Sequence, residues 1–368
     1  MFHGKFGMSN RFVSLKKFWK NKTIFLTGHT GFKGSWLVIF FNLLGAKVYG
    51  YSLKQKKLSL FNITMLNKIL KKSVIGDIRN QSNLKKHLSK CKPDFLIHMA
   101  AQPLVRDSYD DPRYTFEVNT LGTLNILEAV REIKTIKNVL IITTDKVYKN
   151  ENKKNFFSEN DELGGDDPYS NSKACAELIC QSYSKSFFSK HKISCVTARA
   201  GNVIGGGDFA KDRVIPDFFR SLKQKKILYL RYPKAIRPWQ HVIEPLYGYI
   251  LLLMKMSYKN KNLVDGSWNF GPKKCNNINV NKVISILNKN FKNKVEVKVK
   301  SKKKNSYKES NILKLSSAKS KKNLGWEPKY NIAKSLRLIT EWEISYSKNK
   351  KKLLDFTKGQ INNYLNQF

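Results

Sequence analysis

The chain has 368 residues, 41% apolar and 26% charged, enough for one large α/β body or two smaller units and too apolar for wholesale disorder. Its formal charge is +42, from 69 Lys and Arg against 27 Asp and Glu. Only 11 of the 69 are Arg, and Lys stands throughout beside Asn and Ile, so the charge reads as compositional drift and no specific nucleic-acid partner is expected. Five cysteines without a CxxC pair argue against a disulfide framework or a zinc site and fit a reducing cytoplasm. The best apolar run, 247–256, is far too short to span a bilayer, so no membrane partner is expected. The basic N-terminus lacks the apolar stretch of a signal peptide. Met8 is a candidate start, and nothing before Phe18 reads as structured.

Apolar runs predict strands over 22–28, 46–53, 73–78, 94–100, 138–144 and 193–200. Helical spacing predicts helices over 31–44, 110–133 and 168–188, the first stopped by Gly45 and the second opened by Asp111-Pro112. Strands this continuously apolar, alternating with helices, mean a parallel sheet covered on both faces. The expected fold is α/β, a Rossmann-type doubly wound sheet. After Ala200 the rhythm changes to a glycine-rich loop at 201–208, a helix near 214–222, segments 226–232 and 233–242, a helix over 243–256, a strand and turn at 267–272, and an amphipathic helix near 332–346. These pieces predict a smaller, discontinuous C-terminal α/β lobe that holds substrate, from 201–239 and 271–347. The nucleotide-binding domain spans 18–200, with 240–270 packing back on it. Residues 1–17 read as a basic extension and 348–368 as a basic tail, and the lysine runs at 302–304 and 350–352 read as solvated.

The first strand runs into Gly28-His29-Thr30-Gly31-Phe32-Lys33-Gly34, a GxxGxxG placed between strand and helix. Glycines there let backbone approach a pyrophosphate at a helix N-terminus, so a dinucleotide is expected at Gly28, Gly31, Phe32 and Gly34. The second strand ends in Tyr51-Ser52-Leu53-Lys54, without the acid that would hold the ribose of NAD, which leaves NADP open on the residues alone. Asp77, with Ile78, follows the third strand and is placed to meet the adenine. Ala100 and Ala101 are small where backbone lies against a cofactor. Tyr169 and Lys173 form YxxxK on one face of a helix, where a neighbouring cation can favour the phenolate and make Tyr169 a base. Thr144 ends the fifth strand, where sites in open parallel sheets lie, and Asp145 and Lys146 follow as a candidate acid and base.

With FLTGHTGFKGSWL (25–37), TTDKVY (143–148), DPYSNSKACAEL (167–178), GNVIGGGDFAKDR (201–213) and RPWQHV (237–242) on the page, the chain resembles the extended short-chain dehydrogenase/reductase family, in its nucleotide-sugar dehydratase branch. The likeness runs from about residue 18 to 342. It implies NAD as the cofactor and CDP-glucose as the substrate. Tyr169 would take the 4-hydroxyl proton while hydride leaves C4, Lys173 would hold the cofactor ribose and keep Tyr169 acidic, and Thr144 would hydrogen-bond the sugar. Water would then leave across C5 and C6 through Asp145 and Lys146, and hydride would return to C6. Which of the two takes the C5 proton stays open, with Asp145 favoured as the acid. Gln102, Asn202, Arg213 and Arg237 would bind the sugar and its diphosphate, since guanidinium forks suit phosphate. The nearest alternative is another nucleotide-sugar enzyme of the same fold, a 4-epimerase or a dehydratase for a different nucleotide, although such epimerases lack an acid-base pair like Asp145-Lys146; the alternative from another class is a basic nucleic-acid-binding protein with a relic Rossmann domain. A homodimer formed through a helix pair and a place in deoxysugar assembly for surface polysaccharide are also implied.

Overall fold

A computed structural model describes residues 10–133, 135–151, 155–258, 266–291, 294–300 and 312–368. The chain enters through α1 (Asn10–Trp19) and β1 (Thr23–Thr27), and Gly28, at φ +74°, turns it into α2 (Phe32–Leu43). Then follow β2 (Lys47–Ser52), α3 (Leu60–Ile63), β3 (Lys72–Ile75), α4 (Gln81–Cys91) and β4 (Phe95–His98). The short helices α5 (Val105–Asp110) and α6 (Pro112–Phe116) lead into α7 (Gly122–Ile133), β5 (Asn138–Ile142), α8 (Pro168–Tyr183) and β6 (Ser194–Ala200).

Beyond β6 lie β7 (Asn202–Ile204), α9 (Val214–Gln224), β8 (Leu228–Leu230), β9 (Ile236–His241), α10 (Ile243–Met256) and β10 (Gly266–Phe270). The remaining elements are β11 (Asn277–Asn279), α11 (Val280–Lys289), β12 (Val297–Val299), α12 (Ala318–Leu324), α13 (Ile332–Lys348) and α14 (Leu353–Leu365).

Seven strands form one parallel sheet in the order β10-β6-β5-β4-β1-β2-β3. β5 and β6 are buried along their whole length; β5 is apolar after Asn138, while β6 also buries Ser194, Thr197 and Arg199. The strand order reverses between β1 and β4, so the crevice beyond their carboxyl ends is where a ligand fits. The remaining strands form a second sheet, β11-β9-β7, and a pair, β12-β8.

The helix predicted over 110–133 is broken. α6 passes through a π turn, Glu117–Leu121, into α7. The one extra residue lets Val118 and Asn119 both face inward. The helix predicted over 168–188 likewise ends in a π turn, Ser184–Phe188.

The two chain ends depart from the sequence reading. α1 starts ahead of Phe18, at Asn10, and buries Phe12 and Leu15, with Trp19 edge-on to Phe41 at 5.0 Å and tilted against Phe95 at 4.8 Å between ring centres. The expected basic tail is α14, whose Tyr364 is fully buried against Tyr247 and Tyr330. Each buried aromatic contributes about 2 to 3 kcal/mol, enough to hold a short lysine-rich segment onto the core. Lys350–Lys352 form an exposed turn between α13 and α14. Met1, Met8 and the run 302–304 lie outside the described residues.

Candidate active site

The glycine turn is shaped by contacts that only glycine allows. A Cβ on Gly28 would come within 2.7 Å of the Ala100 nitrogen, and one on Gly34 would run into the Gly28 carbonyl. Gly31 caps α2 without a side-chain hydrogen bond, and a Cβ there would meet only the Gly28 carbonyl, at 3.3 Å. The turn is therefore closed toward β4 and open over the first amides of α2, at Phe32 and Lys33, a cradle that fits a pyrophosphate. Thr27 Oγ1 accepts the backbone N–H groups of Met99 and Ala100 at 3.1 and 3.2 Å, tying the ends of β1 and β4 together. Ala100 and Ala101 follow, both partly exposed toward the crevice. Ile78 is buried against Gly122. Asp77, expected to meet the adenine, is held by its neighbour Arg79. Its carboxylate accepts the Arg79 backbone N–H at 2.9 Å, Nε at 3.0 Å and Nη2 at 2.8 Å, and Arg79 also pairs with Glu117.

Across the switch point, Thr144 caps a single turn, Asp145–Val147. Its Oγ1 donates to Asp145 Oδ1 at 3.1 Å and accepts the Lys146 N–H at 3.4 Å. Asp145 is 2% exposed, and its Oδ2 has no hydrogen-bond partner among the described residues. Burial pushes this carboxyl up to about 6, against the pull of Lys146, the Thr144 hydroxyl and Arg237. Lys146 is half-buried beside it.

α8 starts at Asp167, whose carboxylate takes the Ser170 N–H at 2.9 Å and the Ser170 hydroxyl at 2.5 Å, with Pro168 in the first turn. Tyr169 and Lys173 lie one turn apart on the face toward β5. Burial pushes the Tyr169 phenol up to about 12, opposed by a hydrogen bond with Thr144 and by the charge of Arg213. Lys173 Nζ donates to the Ile142 carbonyl at 3.2 Å, and burial lowers it to about 8. Arg213 is thus a cation of the chain's own whose charge acts on Tyr169.

One turn on, Glu177 takes Arg199 Nε at 2.9 Å and Nη2 at 3.0 Å, together with the hydroxyls of Thr143, Thr197 and Ser267. This buried cluster locks α8 to β5, β6 and β10. Asn119, at the π turn, donates to Ser172 Oγ on α8 at 3.0 Å and pairs with the backbone of Gln102.

Gln102, expected at the sugar, braces its own loop instead. Its amide donates to Leu104 O and Thr115 Oγ1 at 3.0 and 2.9 Å, and its carbonyl accepts the Leu104 N–H at 2.6 Å. Arg213 is paired with Asp208 at 3.0 Å and half-buried. Arg237 is 5% exposed, with Nη1 on the Ile236 carbonyl at 3.0 Å and its charge facing Asp145. Asn202 opens β7 in register with Trp239 and is partly exposed.

Three groups were not picked out from the sequence. Arg231 joins Arg106 on Asp212, at 3.0 and 2.7 Å. Lys33, inside the glycine turn, reaches Tyr249 on α10, its Nζ 3.2 Å from the phenol oxygen. A lysine two residues beyond the second glycine was the signal available for Lys33. Nothing local marks Tyr249.

A glycine turn facing a Tyr-Lys helix across a doubly wound parallel sheet defines the short-chain dehydrogenase/reductase class of enzymes, here in its extended form. Within that class the chain belongs to the family described as GDP-mannose 4,6 dehydratase, whose model matches residues 25–339. It is 40% identical over 360 residues to the CDP-glucose 4,6-dehydratase of Salmonella typhimurium, covering 95% of this chain and 98% of that protein. Among solved structures, Pal from Bacillus thuringiensis superposes with a TM-score of 0.77 at 25% identity, covering 88% of this chain and 99% of that one. The dTDP-glucose 4,6-dehydratase of Bacillus anthracis in complex with NAD shares the fold, with a TM-score of 0.72 at 22% identity over 89% and 99%. Among the described residues no helix is long and apolar enough to cross a membrane.

Proposed function

We propose that this enzyme converts CDP-glucose to CDP-4-keto-6-deoxyglucose and water, with NAD as its cofactor. The observation that carries this reading is the end-to-end similarity to CDP-glucose 4,6-dehydratase, combined with a buried Asp145 and a half-buried Lys146 next to Thr144 and Tyr169. The open glycine turn fits the pyrophosphate of NAD, and Ile78, Ala100 and Ala101 supply apolar walls. Held at the glycine turn of Gly28, Gly31 and Gly34, NAD would supply an acceptor for the C4 hydride and a donor for C6.

The chain's own residues move the protons. Tyr169 accepts the 4-hydroxyl proton, with Thr144 holding the hydroxyl in line. Bringing a phenol from about 12 to neutrality requires about 7 kcal/mol, so cations must gather around it, and Arg213 and Lys173 are the ones at hand. The resulting 4-ketone acidifies C5. The C5 proton passes to Lys146, the C5–H electron pair forms the C5–C6 double bond, and the C6–O bond breaks; once hydride is back at C6, C5 takes a solvent-exchanged proton from Lys146. The departing oxygen takes the Asp145 proton and leaves as water. A carboxyl raised to about 6 keeps part of its proton near neutrality, which suits the acid role, and Lys146 assists at C5. Arg213 and Arg237 grip the diphosphate, and Asn202 reaches the sugar. We place the enzyme in a reducing cytoplasm, as a homodimer, in the making of deoxysugars for a surface polysaccharide.

The test is mass spectrometry of CDP-glucose incubated with the protein and NAD in heavy water, beside UDP-, dTDP- and GDP-sugars. Loss of one water with gain of one deuterium, from CDP-glucose alone, is the expected result. The same change in another nucleotide sugar overturns the substrate, and an inverted C4 without loss of water points to an epimerase.

A further inference from the structure

Thr143 and Thr144 follow β5, and their side chains part. Thr144 serves the site and donates to Asp145 Oδ1 at 3.1 Å. Thr143 turns the other way and donates its hydroxyl to Glu177 Oε1 on α8. At the far end of the turn Asp145–Val147, the buried Tyr148 hydroxyl accepts Arg199 Nη1 at 2.8 Å and donates to Asn269 Oδ1 at 2.8 Å. The Tyr148 ring stacks on Phe157 at 4.8 Å, and the Arg199 guanidinium lies 4.8 Å from its centre. Arg199 and Glu177 are joined to each other at 2.9 and 3.0 Å and are 1% and 0% exposed. One buried ion pair therefore holds both ends of the segment from Thr143 to Tyr148, and Thr144, Asp145 and Lys146 lie between the two anchors. Asp145 Oδ2 has no hydrogen-bond partner among the described residues, so the place of that carboxyl is set by Thr144 and by the turn that carries it.

We propose that the Glu177–Arg199 pair positions the acid-base turn for the elimination step, clamping it through Thr143 at one end and Tyr148 at the other. This rests on the dehydratase reading above. Both are positioning residues, each acting through the side chain it holds. A buried ion pair gains little in stability over well-packed apolar side chains. What it adds is direction, because a carboxylate and a planar guanidinium aim their hydrogen bonds at fixed angles. Oxidation at C4 needs Tyr169 and Lys173, which stand on α8, with Lys173 tied to the Ile142 carbonyl at 3.2 Å. Elimination needs Asp145 and Lys146, which stand on the clamped turn. Releasing one end of the clamp therefore falls on elimination more than on oxidation.

The test uses Tyr148→Phe, which removes the hydrogen bond to Arg199 and keeps the ring and the ion pair. Thr143→Val opens the other end, and Thr143→Ser restores its hydroxyl. Loss of water from CDP-glucose is followed by mass spectrometry, and bound NADH by its near-ultraviolet absorbance. Tyr148→Phe is expected to lower kcat for water loss by about 10 to 10²-fold, the order that a displacement of an ångström costs, with KM changed less than about threefold. NADH should build up during turnover, because C4 is still oxidised while water loss lags. Thr143→Val should act in the same way, and Thr143→Ser should recover most of the loss. A second readout needs no turnover. In hydrogen-deuterium exchange, the amides of residues 144–148 should exchange about tenfold faster in Tyr148→Phe and Thr143→Val, while those of α8 keep their wild-type rates. Water loss that falls without build-up of NADH overturns the proposal, and so does wild-type exchange over 144–148. If wild type releases no water from CDP-glucose, the dehydratase reading fails, while the exchange rates still decide whether the pair holds the turn. If Tyr148→Phe does not fold, Thr143→Val and Thr143→Ser carry both measurements.

Discussion

Asp145 should cost the protein stability at the pH where it works. A carboxyl that binds its proton at about 6 when folded and at an ordinary 3.8 when unfolded stabilises the fold only while it is protonated. Because the folded value is the higher one, stability falls as pH rises from 3.8 through about 6 and stays down above that. At 1.36 kcal/mol for each tenfold change in proton affinity, the penalty at pH 7.5 is about 3 kcal/mol. Asp145→Asn keeps the shape and removes the charge. Its amide oxygen can still accept from Thr144, but its NH2 replaces the Oδ2 that has no partner, at a cost of about 1 kcal/mol. The variant should therefore be more stable than wild type by about 2 kcal/mol at pH 7.5, and no more stable at pH 4. Denaturant unfolding at the two pH values measures this, and the same variant should lose water elimination. An Asp145→Asn protein less stable than wild type at pH 7.5, or one whose advantage is equal at both pH values, would refute the reasoning.

Other outcomes follow from the same geometry. Tyr169→Phe should stay folded and bind CDP-glucose while kcat drops by about 10² to 10⁴, read by isothermal titration beside turnover; wild-type turnover would remove Tyr169 from the mechanism. Arg199→Met strands the buried Glu177 carboxylate, whose proton affinity Arg199 holds down against burial, and should cost about 3 to 5 kcal/mol in chemical denaturation. Adding Glu177→Gln removes the stranded charge, so the double variant should be more stable than Arg199→Met alone; strict additivity would contradict this. Trp19→Ala should cost about 3 to 5 kcal/mol by urea titration, whereas a change below 1 kcal/mol would make α1 a dispensable extension.

The sequence by itself determined the parallel α/β sheet, the phosphate turn and the YxxxK helix. These depend on local signals: strand-length apolar runs, glycines at fixed spacing, and two side chains one helical turn apart. The tertiary structure decided what depends on partners far along the chain. α1 and α14 look like basic tails until the core supplies Phe41, Phe95, Tyr247 and Tyr330 for their few apolar residues. At the π turn Glu117–Leu121, Asn119 meets Gln102 and Ser172, partners that no local pattern announces. Gln102 carries an amide that could hold a sugar, and only the folded loop shows it already engaged. Lys33 and Tyr249 are 216 residues apart, and no periodicity links them. Proton affinities belong to this second group as well, because burial and neighbouring charge are properties of the packed site and not of the residue that titrates.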